Sequence, residues 1–324
     1  MTRSDYQVLL YYKYVKIEDP KFVMDSQIAL CNELNLKGRI IIAEEGINGT
    51  VEGLRKNCAK YISFMKSDKL FKGISFKMSE GTGSAFGKLK IKVRSEVVTV
   101  KIKVDPQKIT GKYITAEKLH EWFEKGREFY IVDMRNDYEY ISGHFKNFIP
   151  SGIHNFYDLP DVLPRLSHLK NKTIVTVCTG GIRCEKASGF LLMNGFNDVY
   201  QLKDGIQTYM EKYPNQHFLG KLYVFDNRLT LGFNTDSADH RIVGKCYGCG
   251  VPSDRYVNCE YNFCHFHHIR CDDCLDKEIL RPGSGQAGLA FCKKDCKEKY
   301  FKSPQFAKSQ KMSITGHKSF SGSL

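Results

Sequence analysis

Ten of the twelve cysteines in this 324-residue chain lie in arrangements that chemistry can use. Cys178 stands between a β-branched run, Thr173–Val177, and the loop Thr179-Gly180-Gly181-Ile182-Arg183, with Cys184 directly after. A cysteine at the junction of a buried strand and a helix start sits where ligands bind in open α/β sheets. Loop N–H groups and the helix N-terminus favour negative charge there. Arg183 adds a full positive charge, so the three together point to a thiolate at Cys178. The two glycines let the backbone close tightly around the sulfur. The Cys-x4-Arg spacing is one residue shorter than the Cys-x5-Arg with which protein phosphatases cradle a tetrahedral phosphate. The shorter ring suits a smaller load on sulfur, such as a persulfide. Cys178 and Arg183 are the catalytic candidates, with Thr179, Gly180, Gly181 and Ile182 as the loop around them. Cys184 is either a resolving thiol or a small residue packing the helix start.

The other eight are paired: Cys246-x2-Cys249, Cys259-x4-Cys264, Cys271-x2-Cys274 and Cys292-x3-Cys296. Short pairs suit a metal because both thiolates reach one ion from a tight turn, and four pairs make two tetrahedral sets, the requirement of two structural zinc ions. A cross-braced arrangement joins 246/249 to 271/274 and 259/264 to 292/296. A sequential one joins 246/249 to 259/264 and 271/274 to 292/296. His265, His267 or His268 is an alternative ligand in a site of three cysteines and one histidine. No secretory leader is evident, because Lys13 and Lys16 interrupt the apolar stretch Gln7–Tyr12. The apolar runs fall far short of the ~18 residues of a membrane span. A cytoplasmic protein with reduced thiols is expected, which sets a disulfide framework aside. Cys31 and Cys58 are expected to pack.

Three regions must position these residues. Residues 1–105 read as a ferredoxin-like (acylphosphatase-like) α+β domain of order β-α-β-β-α-β. Its elements are a strand at Gln7–Lys13, a helix from Pro20 with Phe22, Ile28, Leu30 and Leu34 on one face and Gly38 at its end, and a strand at Arg39–Ala43. A turn at Gly46–Gly49, extended structure resuming at Thr50-Val51, a helix at Arg55–Met65 and a strand at Gly73–Met78 complete it. Residues 106–122 read as a linker entering a helix at Ala116–Glu124. Residues 123–218 alternate strands (Phe129–Asp133, Thr173–Val177, Val199–Leu202) with helices (Asn136–Ile141, one from Cys184, Gly205–Tyr213), an α/β unit with a parallel sheet. Residues 219–298 form the cysteine-rich zinc module, and 299–324 a lysine- and serine-rich tail expected to be disordered.

Asp133-Met134-Arg135, Glu139-Tyr140, Gly143-His144, Pro150 and Gly205-Ile206 resemble the signatures of the rhodanese domain. That resemblance implies a persulfide on Cys178, with Asp133, Arg135 and Glu139 structural or supporting the loop. The longer string Cys178-Thr179-Gly180-Gly181-Ile182-Arg183-Cys184-Glu185-Lys186-Ala187-Ser188, with Glu45-Gly46-Ile47-Asn48-Gly49-Thr50 and the cysteine-rich end, resembles the bacterial tRNA uridine hydroxylases of the rhodanese superfamily. This implies 5-hydroxylation of the wobble uridine, U34, with molecular oxygen as co-substrate. The chain departs from that family's pattern at His265, His267 and His268, where related hydroxylases carry apolar residues, and in the longer stretch between Cys274 and Cys292. No dinucleotide-binding glycine fingerprint for flavin or NAD is evident, nor a two-histidine-one-carboxylate pattern.

The net charge of +13 fits a polyanionic partner. Its densest part lies at residues 66–103, with ten basic and three acidic side chains. There Lys88, Lys90, Lys92 and Arg94 alternate with Leu89, Ile91 and Val93, giving one apolar and one basic face. Charges about 6–7 Å apart along such a strand approach the phosphate spacing of a single strand. They are the candidate tRNA-binding residues, for the anticodon arm. Val98, Val100, Ile102 and Val104 continue the alternation. Recognition of loop bases also needs aromatic platforms, for which Tyr11, Tyr12 and Tyr14 are candidates by type. The rival functions are a sulfurtransferase using the same loop and a non-catalytic zinc-bearing RNA-binding scaffold.

Overall fold

A computed structural model describes residues 5–264, 266–280, 288–304 and 306, with the backbone alone for 276–280. The residues up to 240, apart from Ile141–Gly143, form one compact unit, and Ile141–Gly143 with the residues from Arg241 form another. Among the described residues no helix is long and apolar enough to cross a membrane.

The first unit opens with an α+β sheet. Its elements are β1 (Tyr6–Tyr14), α1 (Pro20–Glu33), β2 (Lys37–Ala43), β3 (Gly46–Leu54), α2 (Arg55–Ser67), β4 (Ser75–Glu80) and β5 (Leu89–Val93). Strand order is β4-β1-β3-β2-β5, the ferredoxin-like arrangement with one further edge strand parallel to β2. Asp19 caps α1, accepting from the Phe22 amide at 2.9 Å, and Pro20 occupies the first turn. Val23, Gln27 and Cys31 form the buried face of α1; of the expected face, Leu34 is buried and Leu30 packs against the core, whereas Phe22 is 72% exposed. Asn35, at φ 51°, turns the chain after α1, and Gly38 lies inside β2. Gly46–Gly49 belongs to β3 instead of a turn. A side chain at Gly49 would run into the Tyr11 ring, so the glycine there is a packing requirement.

The parallel sheet follows. The chain here runs through β6 (Lys112–Ile114), α3 (Ala116–Glu124), β7 (Tyr130–Asp133), β8 (Gly143–Phe145), which lies outside this sheet, β9 (Ile149–Pro150), α4 (Leu163–Leu166), β10 (Thr173–Val177), α5 (Ile182–Met193), β11 (Asp198–Leu202) and α6 (Gly205–Lys212). Strand order is β6-β11-β10-β7-β9, every pair parallel. Ile174 packs with Val132, Ala187 and Leu191 on one face, and Val175 and Val177 pack with Leu119, Trp122 and Ile206 on the other. Burial on both faces explains the unbroken β-branched run before Cys178.

Three expectations fail here. The stretch expected as a linker contains β6, an edge strand of this sheet. Asn136–Ile141 is turns, not helix, because its polar groups serve local bonds: the Asn136 N–H goes to the Glu139 carboxylate at 2.9 Å. Residues 98–104 are not a strand. Val100 and Val104 anchor instead in the second core, so burial of alternate side chains there needs no ladder partner. The unit ends with β12 (Phe218–Gly220), β13 (Leu222–Tyr223) and β14 (Thr230–Leu231).

The second unit is built from β15 (Tyr256–Asn258), β16 (His267–Ile269), β17 (Asp276–Leu280), β18 (Gly288–Leu289) and α7 (Lys294–Phe301), strands of two to five residues paired in hairpins. Within the tail expected to be disordered, residues 307–324 lie outside the described residues.

Candidate active site around Cys178 and candidate metal centres

Cys178 follows β10 at the sheet's C-terminal end and is fully buried. Gly181 adopts φ 100° as the N-cap of α5, a conformation that suits glycine, and its N–H donates to the Cys178 sulfur at 3.2 Å. Burial opposes the thiolate. The Cys184 thiol, the charge of Arg183, and the backbone N–H groups of Cys184 and Arg183 outweigh it, so the Cys178 thiol is lowered to about 6. Cys184 moves the other way, pushed up by burial and by the neighbouring Cys178, and so remains a protonated donor to it.

The Arg183 guanidinium is held by Glu139, with both carboxylate oxygens engaged and one contact at 2.8 Å, and Arg183 also donates to the Thr179 hydroxyl at 3.2 Å. The Glu139 side chain is fully buried. Asp133 and Arg135, both at 0% side-chain exposure, form a second ion pair at 2.6 Å. Arg135 also reaches the Glu139 carbonyl at 3.2 Å, so the two pairs brace the same turn.

Cys178 opens into a cleft of about 650 Å³ within the first unit. One wall comes from β1, β2 and β3 (Leu10, Tyr12, Arg39, Ile41, Asn48) with Val98 and Thr99, and the other from the cysteine loop with Asn136, Asn155 and Tyr157. Phe225 closes the rim. Tyr157 and Phe225 are 44% and 47% exposed, the kind of platform on which bases stack. Sequence reasoning missed both, since neither lies in a periodic segment. Of the three candidate tyrosines, Tyr11 is fully buried and hydrogen-bonded to Tyr61 in the first core, so it offers no platform. Tyr12 lines the cleft, and the Tyr14 hydroxyl donates to the Ile182 carbonyl at 3.4 Å.

The residues after the loop couple the two sheets. Glu185 accepts from the hydroxyls of Tyr12 (2.9 Å), Tyr113 (2.9 Å) and Thr110 (3.1 Å) and from the Gln201 amide (3.1 Å). Lys186, 2% exposed, pairs with Glu45 at 2.9 Å and Glu96 at 3.1 Å and donates to the Val98 carbonyl at 3.0 Å. This clamp holds the wall segment Val98–Thr99 in place. It joins the segment that starts at Glu45 to the segment Cys184-Glu185-Lys186.

Lys88, Lys90, Lys92 and Arg94 are exposed on and beside the edge strand β5. None lines the cleft, but the register sets Lys90 beside Arg39 and Lys92 beside Ile41, the two β2 residues that do. The basic row therefore shares a sheet face with the cleft wall.

In the second unit the eight cysteines gather as Cys246/Cys249/Cys271/Cys274 and Cys259/Cys264/Cys292/Cys296, the cross-braced arrangement, with the sulfurs of each set within 4.8 Å of one another. Sulfur separations of 3.6 Å (Cys249–Cys271) and 3.4 Å (Cys264–Cys292) are near the ~3.8 Å edge of a tetrahedron with 2.3 Å metal–sulfur bonds. The donor set fits a zinc ion in each. Neither set includes His267 or His268, and His265 lies outside the described residues. One two-histidine-one-carboxylate group that sequence reading did not see, His120, Glu124 and His217, has its candidate ligand atoms within 4.8 Å. His120 and Glu124 lie one turn apart on α3 while His217 is remote in sequence, and none lines the Cys178 cleft.

Comparison with known proteins places these features in a family. A UPF0176 acylphosphatase like domain matches residues 6–97, a Rhodanese-like domain residues 115–212, and a Rhodanase C-terminal region residues 219–297. A tRNA uridine(34) hydroxylase of Cytophaga hutchinsonii is 42% identical over 85% of this chain and 87% of its own length. Those of Staphylococcus carnosus and Bacillus licheniformis are 41% and 43% identical over 91% and 86% of this chain, and 90% and 87% of their own lengths. Identity at that level across the α+β sheet, the rhodanese sheet and the cysteine-rich end means that the chain belongs to the tRNA uridine(34) hydroxylase family.

Proposed function

We propose that this protein is a tRNA-modifying enzyme that hydroxylates carbon 5 of the wobble uridine, with Cys178 as the reacting sulfur. The observation that carries the reading is the setting of Cys178. A thiol lowered to about 6 opens into a 650 Å³ cleft with exposed aromatic rings at its rim, beside an edge strand with four basic residues on and next to it. A persulfide carrier alone needs only the loop. A cleft of this size with stacking platforms suits a nucleotide. The basic row and Arg39 would hold the phosphates of the anticodon arm while the target base enters the cleft.

Insertion of one oxygen atom from dioxygen releases the other as water and consumes two electrons and two protons, so an external reductant completes the balance. Arg183, held by Glu139, stabilises negative charge on sulfur, and Cys184 donates to it. Each four-cysteine set holds a structural zinc ion in a protein that works on tRNA in the cytoplasm.

The test is nucleoside analysis of tRNA from cells lacking the protein, complemented with wild type or Cys178→Ser. Loss of 5-hydroxyuridine, restored by wild type and not by the variant, is the expected result. Loss of a thiolated nucleoside would identify a sulfurtransferase instead. No change in either would leave a scaffold.

A further inference from the structure

Asn136 lines the Cys178 cleft and is only 9% exposed, yet its side-chain oxygen, Oδ1, has no hydrogen-bond partner. Buried acceptors are satisfied as a rule, and each exception calls for an explanation. Of the buried side-chain polar atoms without a partner among the described residues, this is the one whose residue lines the cleft. The rest of Asn136 is fixed. Its amide nitrogen donates to the Tyr138 hydroxyl at 2.8 Å, and its backbone N–H donates to the Glu139 carboxylate at 2.9 Å. Those bonds leave Oδ1 as the one unused acceptor of the side-chain amide.

The position is tied to the reacting sulfur. β7 and β10 are parallel neighbours, with Asp133 opposite Val177, and the Met134 N–H donates to the Val177 carbonyl at 2.9 Å. Asn136 and Cys178 therefore leave the same end of the sheet from adjacent strands. The carboxylate that holds the Asn136 backbone also holds Arg183 beside Cys178.

An acceptor with no partner needs a donor on the ligand. Uracil carries a ring N–H at N3, whereas cytosine presents a bare acceptor nitrogen at the same position. Building on the proposed hydroxylation of uridine, we propose that Asn136 Oδ1 accepts the N3–H of the target base and thereby selects uracil over cytosine. Cytosine in the same pose would set its lone pair against that of Oδ1, and both acceptors would stay buried and unpaired.

The test is a chemical double-mutant cycle on anticodon stem–loop RNA. Wild type and Asn136→Ala are compared on RNA with uridine, 3-methyluridine or cytidine at position 34. Binding is measured by competition and hydroxylation by mass spectrometry. Wild type should prefer uridine to 3-methyluridine and to cytidine by about tenfold or more in affinity. Asn136→Ala should lose about that factor on uridine and show little further loss on the other two. Asn136→Asp keeps an acceptor and should retain the preference, which separates the lost acceptor from a damaged fold. Equal discrimination by wild type and Asn136→Ala would overturn the assignment. So would a wild type without base preference. Absence of hydroxylated product with wild type would overturn the proposed reaction, while the binding arm would still decide the role of Asn136.

Discussion

Burial pushes the thiols of Cys31 and Cys178 up alike, and what surrounds each sulfur decides the outcome. Cys31 is buried among apolar side chains, which push its thiol up to about 12. Cys178 is no less buried, yet its thiol is lowered to about 6, because hydrogen-bond donors and Arg183 surround it. The thiolate fraction at Cys178 should therefore rise with pH through about 6 and level off above it. Removing Arg183 alone would strand the buried Glu139 carboxylate, at a cost of roughly 3–5 kcal/mol. The pair Arg183→Met with Glu139→Gln removes both charges together. The midpoint for alkylation of Cys178 by iodoacetamide should then move to higher pH, as the Coulombic support is lost. An unmoved midpoint, read from the mass of the Cys178 peptide, would mean that the backbone donors and Cys184 suffice. The closeness of Cys178 and Arg183 was legible in the sequence because they share one loop. Glu139 as the partner of Arg183, and the unpaired oxygen of Asn136, were not, because each follows from a fold that joins residues about forty positions apart.

The elements around the loop were legible where side-chain period and environment agree. The run Thr173–Val177 and the helix Ala116–Glu124 are of this kind. Elements that another element completes were not. Residues 98–104 alternate like a strand, but Val100 and Val104 bury themselves in the second core and the backbone pairs with no ladder. Gly46–Gly49 has the composition of a turn, but it is strand because it pairs with β1 on one side and β2 on the other, the Tyr11 ring packing against Gly49. The clamp at the start of α5 depends on this kind of completion. Lys186→Met should leave Glu45 and Glu96 facing each other across an apolar side chain. Both are about a quarter exposed and can partly rehydrate, so the loss should be about 2–3 kcal/mol, below the range for fully buried pairs. Denaturant unfolding would measure it. Because Glu96 also accepts from the Val100 N–H, the loosened wall should raise KM for tRNA more than it lowers kcat. A variant of wild-type stability would show that the clamp contributes no net energy.

On the scale of the whole chain, composition separates two ways of making a unit stable. The first unit has large apolar cores, with side chains such as Tyr11, Tyr61, Phe71 and Phe145 fully buried. The second has strands of two to five residues, and the buried cluster around Leu289, Phe291 and Tyr300 counts three ligand cysteines among its members. A unit of that kind has little apolar area to offset its chain entropy, and the proposed metal–thiolate bonds would supply the difference, their apparent contribution in small zinc modules being ~10–16 kcal/mol. Chelation should therefore act on one unit and not on the other. Treating the full chain with a strong zinc chelator at neutral pH should release two metal ions. Cys246, Cys249, Cys259, Cys264, Cys271, Cys274, Cys292 and Cys296 should become reactive to a thiol reagent, while Cys31 and Cys58 stay protected. Amide exchange should rise across residues 246–301 and stay slow in β1, β3 and β10. Release is proton-coupled, since thiolates must protonate to leave the metal, so falling pH should promote it. Purified protein with no bound metal and with slow exchange in the cysteine-rich region would show that sulfur packing alone holds that unit. Loss of protection in β10 on chelation would show that the first unit is not stable by its own cores.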